Sequence, residues 1–279
     1  MQIIKTIIFT ITSLLTMNDV IMAMCKIHFP GRNHIPPKAD ILLGIFDNAS
    51  RCPESVNELK KLLEIDGLKT FPSIVANRGL HNPTLGSFSI FETTDGFSHS
   101  LQKKVKSNYF FFGHFTKLNA KKISLDQDPT KNKLLVEIIA WDIEKNLYNF
   151  YELRGKNSTN ISWYYRGDST DALGDNNQLH RQNDPDKPFF GKRMRCSACH
   201  VAGGPIMKEI YQPYNDWWQE KRKLIFHPNT PSADFLKILS KVKHPSFLAE
   251  AVISGAEMLE NSKNYQKAKI TRNYQSYHC

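Results

Sequence analysis

Long apolar runs are scarce in these 279 residues. Beyond the leading segment, no stretch stays apolar over the roughly 20 residues that a spanning helix needs, which excludes a polytopic membrane chain. Glycine and proline number only 14 each, so a collagen-like or low-complexity chain is excluded too. Acidic residues are the rarer charge, with Asp+Glu 27 against Lys+Arg 37 and a formal net charge of +10. A basic surface permits nucleic acid, an anionic membrane or an acidic protein as partner. No zinc-finger or homeodomain frame carries the basic residues, so nucleic acid ranks last. The Asp residues do not follow EF-hand spacing, there is no internal repeat, and no parallel βαβ rhythm is visible.

What is present is an ordinary globular composition, 41% hydrophobic and 23% charged, with an aromatic share of 11%. Bulky rings suit half-buried β surfaces and flat ligand pockets. Residues 1–23 (MQIIKTIIFTITSLLTMNDVIMA) read as a secretory signal peptide. Lys5 sits in a short front region, Ile7–Leu15 is mostly apolar, and Ile21-Met22-Ala23 resembles a cleavage site. The expectation is a periplasmic or secreted protein, with no transmembrane helix once the signal is removed. Such a compartment is oxidising, where disulfides persist.

The period of the hydrophobic pattern divides the rest. Glu54–Ile65 places Val56, Leu59, Leu62 and Leu63 on one helical side behind Pro53. From Thr84 to Arg166 the period shortens to strands: Ser87–Glu92, Tyr109–Phe115, Leu134–Ile143, Leu147–Leu153 and Ile161–Tyr165, with Asp95-Gly96 read as a turn. Phe110–Phe112 beside His114 reads as a strand crossing the sheet core, with a ligand-pocket wall as the other option. Gly167–Lys187 is polar and reads as a linker or surface loop. After it, Ser232 is the expected cap of a helix over Ala233–Val242, which His244-Pro245 stops. Ser246 is the expected cap of a longer helix carrying Leu248, Val252, Ala256 and Leu259. The predicted class is α+β: an antiparallel meander, barrel- or sandwich-like, over 24–170; a linker over 171–188; and a helical haem-binding part over 189–279.

One motif carries chemistry. Cys196-Ser197-Ala198-Cys199-His200 is Cys-x-x-Cys-His, the pattern of covalent c-type haem attachment. Two cysteines three apart on a helical turn reach neighbouring vinyl groups of one haem, and the next histidine projects at the iron. With 5 Cys and 10 His, chance supplies this pattern only about 0.003 times per chain. A zinc site requires a fourth ligand, with His180 or His227 available, and usually a second Cys-x-x-Cys or His pair. A thiol-redox Cys-x-x-Cys belongs where a strand meets a helix in a βαβ layout.

The motif resembles that of the c-type cytochromes. The match rests on Cys196, Cys199 and His200, with support from Gly203-Gly204-Pro205, which is similar to the Gly-Pro turn after the haem histidine in many cytochrome c domains. The stretch RCSACHVAGGPIMKE followed by PYNDWW also resembles exported bacterial proteins with one haem motif behind a β-rich front half. Small cytochromes carry the motif near the start of the domain, whereas here it follows the β-rich half. The resemblance implies one haem c tethered by Cys196 and Cys199, with His200 as the proximal iron ligand, and an electron carrier rather than a catalyst. Met258, 58 residues after His200, and Met207, 7 after it, are the methionines available to the sixth position. His180, His227 and His244 are the histidines. An open sixth position implies instead a haem enzyme or gas sensor, and a colourless motif a zinc or redox binding module.

Residues 187–223 hold eight Lys/Arg against three acids, a rim suited to an acidic redox partner protein. Trp217-Trp218, Tyr211 and Tyr214 either flank the haem or pack the helical core. Of the remaining cysteines, Cys25–Cys52 is the expected disulfide, with Cys279 as competitor.

Overall fold

The computed structural model describes residues 25–29, 35–76, 88–116, 134–155, 161–173, 200, 202–205 and 233–276. The expected signal peptide, the 174–188 part of the linker and Cys279 lie outside them. Alternation along the aromatic strands sets the architecture. Phe110 and Phe112 belong to one buried cluster and Phe111 to another, so β5 (Phe110–Thr116) is buried on both faces. The same split runs through β6 (Leu134–Asp142) and β7 (Leu147–Gly155), while β8 (Ile161–Asp168) sends Trp163 and Tyr165 into the first cluster; these strands pair antiparallel in chain order.

The strand order is β1-β8-β7-β6-β5-β3-β2, with β4 (Lys103–Val105) paired to β3 (Phe88–Ser98). One short strand, β1 (Ile27–His28), lies parallel to β8, and β2 (Leu68–Ala76) forms the opposite edge. The described strands thus make one open mixed sheet, in place of the expected barrel or sandwich. Helices on both faces, rather than a second sheet, bury its apolar side chains, and the class is α+β.

On the first face, α1 (Ile41–Asp47) and α2 (Val56–Ile65) pack Ile41, Leu42, Phe46, Leu59 and Leu63 against Tyr151, Trp163 and Tyr165. Each such fully buried side chain contributes about 1.5–3 kcal/mol by leaving water. Ser55 begins α2, its hydroxyl accepting the Glu58 N–H at 3.2 Å, and Trp163 donates from Nε1 to the Pro53 carbonyl at 2.8 Å. The disulfide between Cys25 and Cys52 forms as expected and ties the β1 edge to the α2 approach.

On the second face, α5 (Pro245–Glu260) and α6 (Lys263–Ser276) bury Leu248, Val252, Leu259 and Tyr265 against Phe111, Trp141, Tyr148 and Phe150. The C-terminal helices therefore share their core with the sheet. The chain reaches that face from α4 (Ala233–Leu239), whose Ile238 is in the first core, by rounding the β2 edge. There the Lys243 N–H donates to the Pro72 carbonyl at 2.9 Å and Phe247 meets Phe71 at 5.2 Å.

Several local expectations change. Asp95-Gly96 is no turn: both lie within β3, opposite Lys69 and Leu68. Gly96 has φ 134°, and a Cβ there would stand 2.5 Å from the Gly67 carbonyl oxygen, so glycine serves a close backbone approach. The chain reverses after Ser98 instead, with Gln102 at φ 50°. Residues 167–173 are not loop but the end of β8 and α3 (Ser169–Leu173). Helix α4 ends at Leu239 rather than Val242. Helix α5 starts one residue before Ser246, at Pro245, and its cap is His244, whose Nδ1 accepts the Ser246 N–H at 3.3 Å. Proline fits the first helical position because that N–H has no intrahelical partner.

Candidate functional site

Of the motif residues, His200 is described, while Cys196 and Cys199 lie outside the described residues. His200 opens a tight turn on the second face. The Gly203 N–H donates to the His200 carbonyl at 2.8 Å, and the His200 ring returns through Nδ1 to the Gly204 carbonyl at 2.9 Å. A carbonyl only accepts, so Nδ1 is the donor in this bond. The imidazole is 7% exposed and its centroid lies 5.6 Å from that of Phe150.

Three elements hold this turn. Gly203 has φ 70°, and a Cβ there would stand 2.5 Å from the Ser169 carbonyl oxygen at the start of α3. Pro205 and Gly204 face α5: a Cβ on Gly255 would meet Pro205 Cγ at 2.9 Å, and one on Gly204 would meet Leu259 at 3.1 Å. From α6, the Tyr265 hydroxyl donates to the Ala202 carbonyl at 2.6 Å. Burial first, then the charge of Glu260, pushes the Tyr265 phenol up to about 12, so it stays a donor at neutral pH. Two residues along β7 from Phe150, Glu152 is fully buried and accepts from Arg166 Nε at 2.9 Å.

Met258 borders the same second core as His200's neighbour Phe150, so the fold brings both residues to one face of the sheet. Its sulfur accepts from Nδ2 of Asn108 at 3.9 Å. His244 is the α5 cap. Met207, His180, His227, Trp217, Trp218, Tyr211, Tyr214 and the basic residues of 187–223 lie outside the described residues. Among the described residues no three His, Cys, Asp or Glu side chains gather as a metal site. No described helix is long and apolar enough to cross a membrane.

The residues present fit an axial histidine. A ligating imidazole uses one nitrogen for the metal and donates from the other to fix the ring, and His200 makes such a donation from Nδ1 to the Gly204 carbonyl. The glycines leave no Cβ between turn and scaffold. No protein-family model, curated protein or solved structure matches the chain.

The first face buries polar chemistry of another kind. Asp40, the α1 cap, accepts from Leu43 N at 3.1 Å, Tyr151 Oη at 2.5 Å and Asn149 Nδ2 at 2.7 Å. Asn149 Nδ2 also reaches Asp142 at 3.0 Å, and Lys145 Nζ reaches Asp168 at 2.7 Å. Burial, helped by the Asp142 charge and opposed by these hydrogen bonds, raises the Asp40 carboxyl to about 6. Near β3, Glu92 is buried beside His114 Nε2 at 3.1 Å and Lys60 Nζ at 2.7 Å. Burial pushes Glu92 up, but the His114 and Lys60 contacts outweigh it and hold the carboxyl below its usual range. His114 stacks on Phe112, so this stretch is sheet core, as the alternation implies.

The sequence pointed to His200 and the Gly-Gly-Pro turn. It carried no sign of Phe150, Ser169 or Tyr265, whose roles arise from contacts across the fold.

Proposed function

We propose that the chain is an exported c-type cytochrome-like protein that binds one covalent haem and transfers single electrons. The observation that carries this reading is the pose of His200. The histidine of Cys196-x-x-Cys199-His200 is buried, with its Nδ1–H committed to the Gly204 carbonyl. Cys196 and Cys199 are the tethers and His200 is the proximal ligand. When bound, the haem iron supplies a one-electron couple whose potential follows its ligands and their hydrogen bonds. His200 orients the axial nitrogen, Phe150 excludes water from one side of the ring, and the glycines seat the turn. The Cys25–Cys52 disulfide supports export, since such bonds persist outside the reducing cytosol.

For the sixth position, Met258 lies on the right face of the sheet, and ligation requires its sulfur to leave Asn108. An acidic redox partner suits the basic composition of 187–223. Mass spectrometry after co-expression with a haem-attachment system tests the reading. One covalent haem is expected on the wild type, and Cys196→Ala should weaken or abolish it. A bare polypeptide mass for the wild type contradicts the proposal.

A further inference from the structure

We propose that Tyr265 is a positioning residue for His200, setting from helix α6 the hydrogen bond that the imidazole makes to Gly204. This rests on the haem reading of the Cys196–His200 motif. The His200 turn closes through two bonds, Gly203 N–H to the His200 carbonyl and His200 Nδ1–H to the Gly204 carbonyl. Between them lies the peptide joining Ala202 to Gly203. Its carbonyl takes the Tyr265 hydroxyl at 2.6 Å, across 63 residues of sequence. That peptide is the pivot of the turn, because Gly203 holds φ 70° and glycine supplies little torsional resistance of its own.

A Cβ on Gly203 would meet Ser169 and one on Gly204 would meet Leu259, so the backbone that follows the pivot lies close against its neighbours. Tyr265 adds a directional bond to the pivot carbonyl, and the residue delivering it is 1% exposed and fixed in the second core. Releasing that bond lets the peptide rotate and draws the Gly204 carbonyl away from Nδ1. A weaker Nδ1–H bond makes Nε2 less basic, which stabilises the oxidised metal less. Tyr265 acts through the turn, by its bond to the Ala202 carbonyl.

The test compares the loaded wild type with Tyr265→Phe and with Tyr165→Phe. The control removes a buried hydroxyl that donates to the Ile35 carbonyl at 2.9 Å, on the other face of the sheet. Tyr265→Phe should move the ferric–ferrous equilibrium about tenfold toward the reduced form, about 59 mV for a one-electron couple. Tyr165→Phe should lower stability without moving it. An unchanged potential in Tyr265→Phe, or an equal shift in both variants, overturns the proposal. Should Tyr265→Phe fail to fold, difluorotyrosine at 265 keeps ring and hydroxyl while strengthening the donor. The potential then moves the opposite way, and no movement overturns the proposal. If the wild type takes up no haem, the haem reading falls and the haem-free full chain decides the positioning role. Nitrogen-15 histidine spectra should show His200 as the Nδ1–H tautomer in the wild type and a mixture in Tyr265→Phe; an unchanged tautomer overturns the role.

Discussion

The first face of the sheet buries the larger of the two described apolar clusters, and the two faces differ in the polar chemistry they bury with it. On the first face, Asp40, Asp142, Lys145 and Asp168 are all buried, and their charges answer one another through Asn149 and Tyr151. Asp142 alone accepts backbone N–H groups from Lys38, Ala39, Glu144 and Lys145. Every one of these groups faces inward, and their work is to pin residues 35–40 and the β6–β7 turn to the sheet. On the second face, the described bonds of the His200 turn run to backbone carbonyls, from the His200 ring and the Tyr265 hydroxyl, and Glu152 pairs with Arg166 further along β7. The bonds of the turn constrain one imidazole through its Nδ1–H. The first face thus links several buried charges into one network, whereas the His200 turn is held by hydrogen bonds to backbone carbonyls.

The comparison is broken most forcefully at Asp40. Its folded value of about 6 stands above 3.8, so between those values the native state holds the proton more tightly than the unfolded chain. Its stabilising contribution is full below pH 3.8 and is lost as pH rises through about 6. The difference in unfolding free energy between wild type and Asp40→Asn should fall by about 3 kcal/mol across that window. Denaturant titrations over the pH range measure it, and a flat difference means Asp40 titrates normally. The haem spectrum of Asp40→Asn should match the wild type.

Gly203→Ala sharpens the contrast from the other side with a smaller effect on stability. A Cβ at φ 70° and 2.5 Å from the Ser169 carbonyl should cost about 1–3 kcal/mol. Unlike Asp40→Asn, it should also disturb His200 ligation, seen as a changed visible spectrum. A variant that loses stability but keeps the wild-type spectrum separates the turn from the ligand.

The sheet's centre was legible in the sequence because β5 to β8 are short runs dense in aromatic and aliphatic residues, separated by turn residues or polar stretches. Its β2 edge was not, since Pro72 interrupts the run Lys69–Ile74, and an edge strand tolerates a proline that a central one would not. Asp95-Gly96 misled for a related reason: glycine marks both turns and close backbone approaches, and only Gly67 across the sheet tells which. His244-Pro245 reads equally well as a stop or a start. At the site, the motif spacing announced His200, as covalent chemistry imposes a local pattern. Tyr265 and Ser169 left no local trace, because they meet the turn only after the chain has folded across the sheet.

The central claim is that a haem is covalently held at Cys196 and Cys199 with His200 on its iron. The absorption spectrum of full-length protein from a haem-attaching host, oxidised and then reduced, tests it most directly. The expected result is a Soret band with sharp α and β bands on reduction, lost in His200→Ala. A colourless protein without a Soret band would contradict the account.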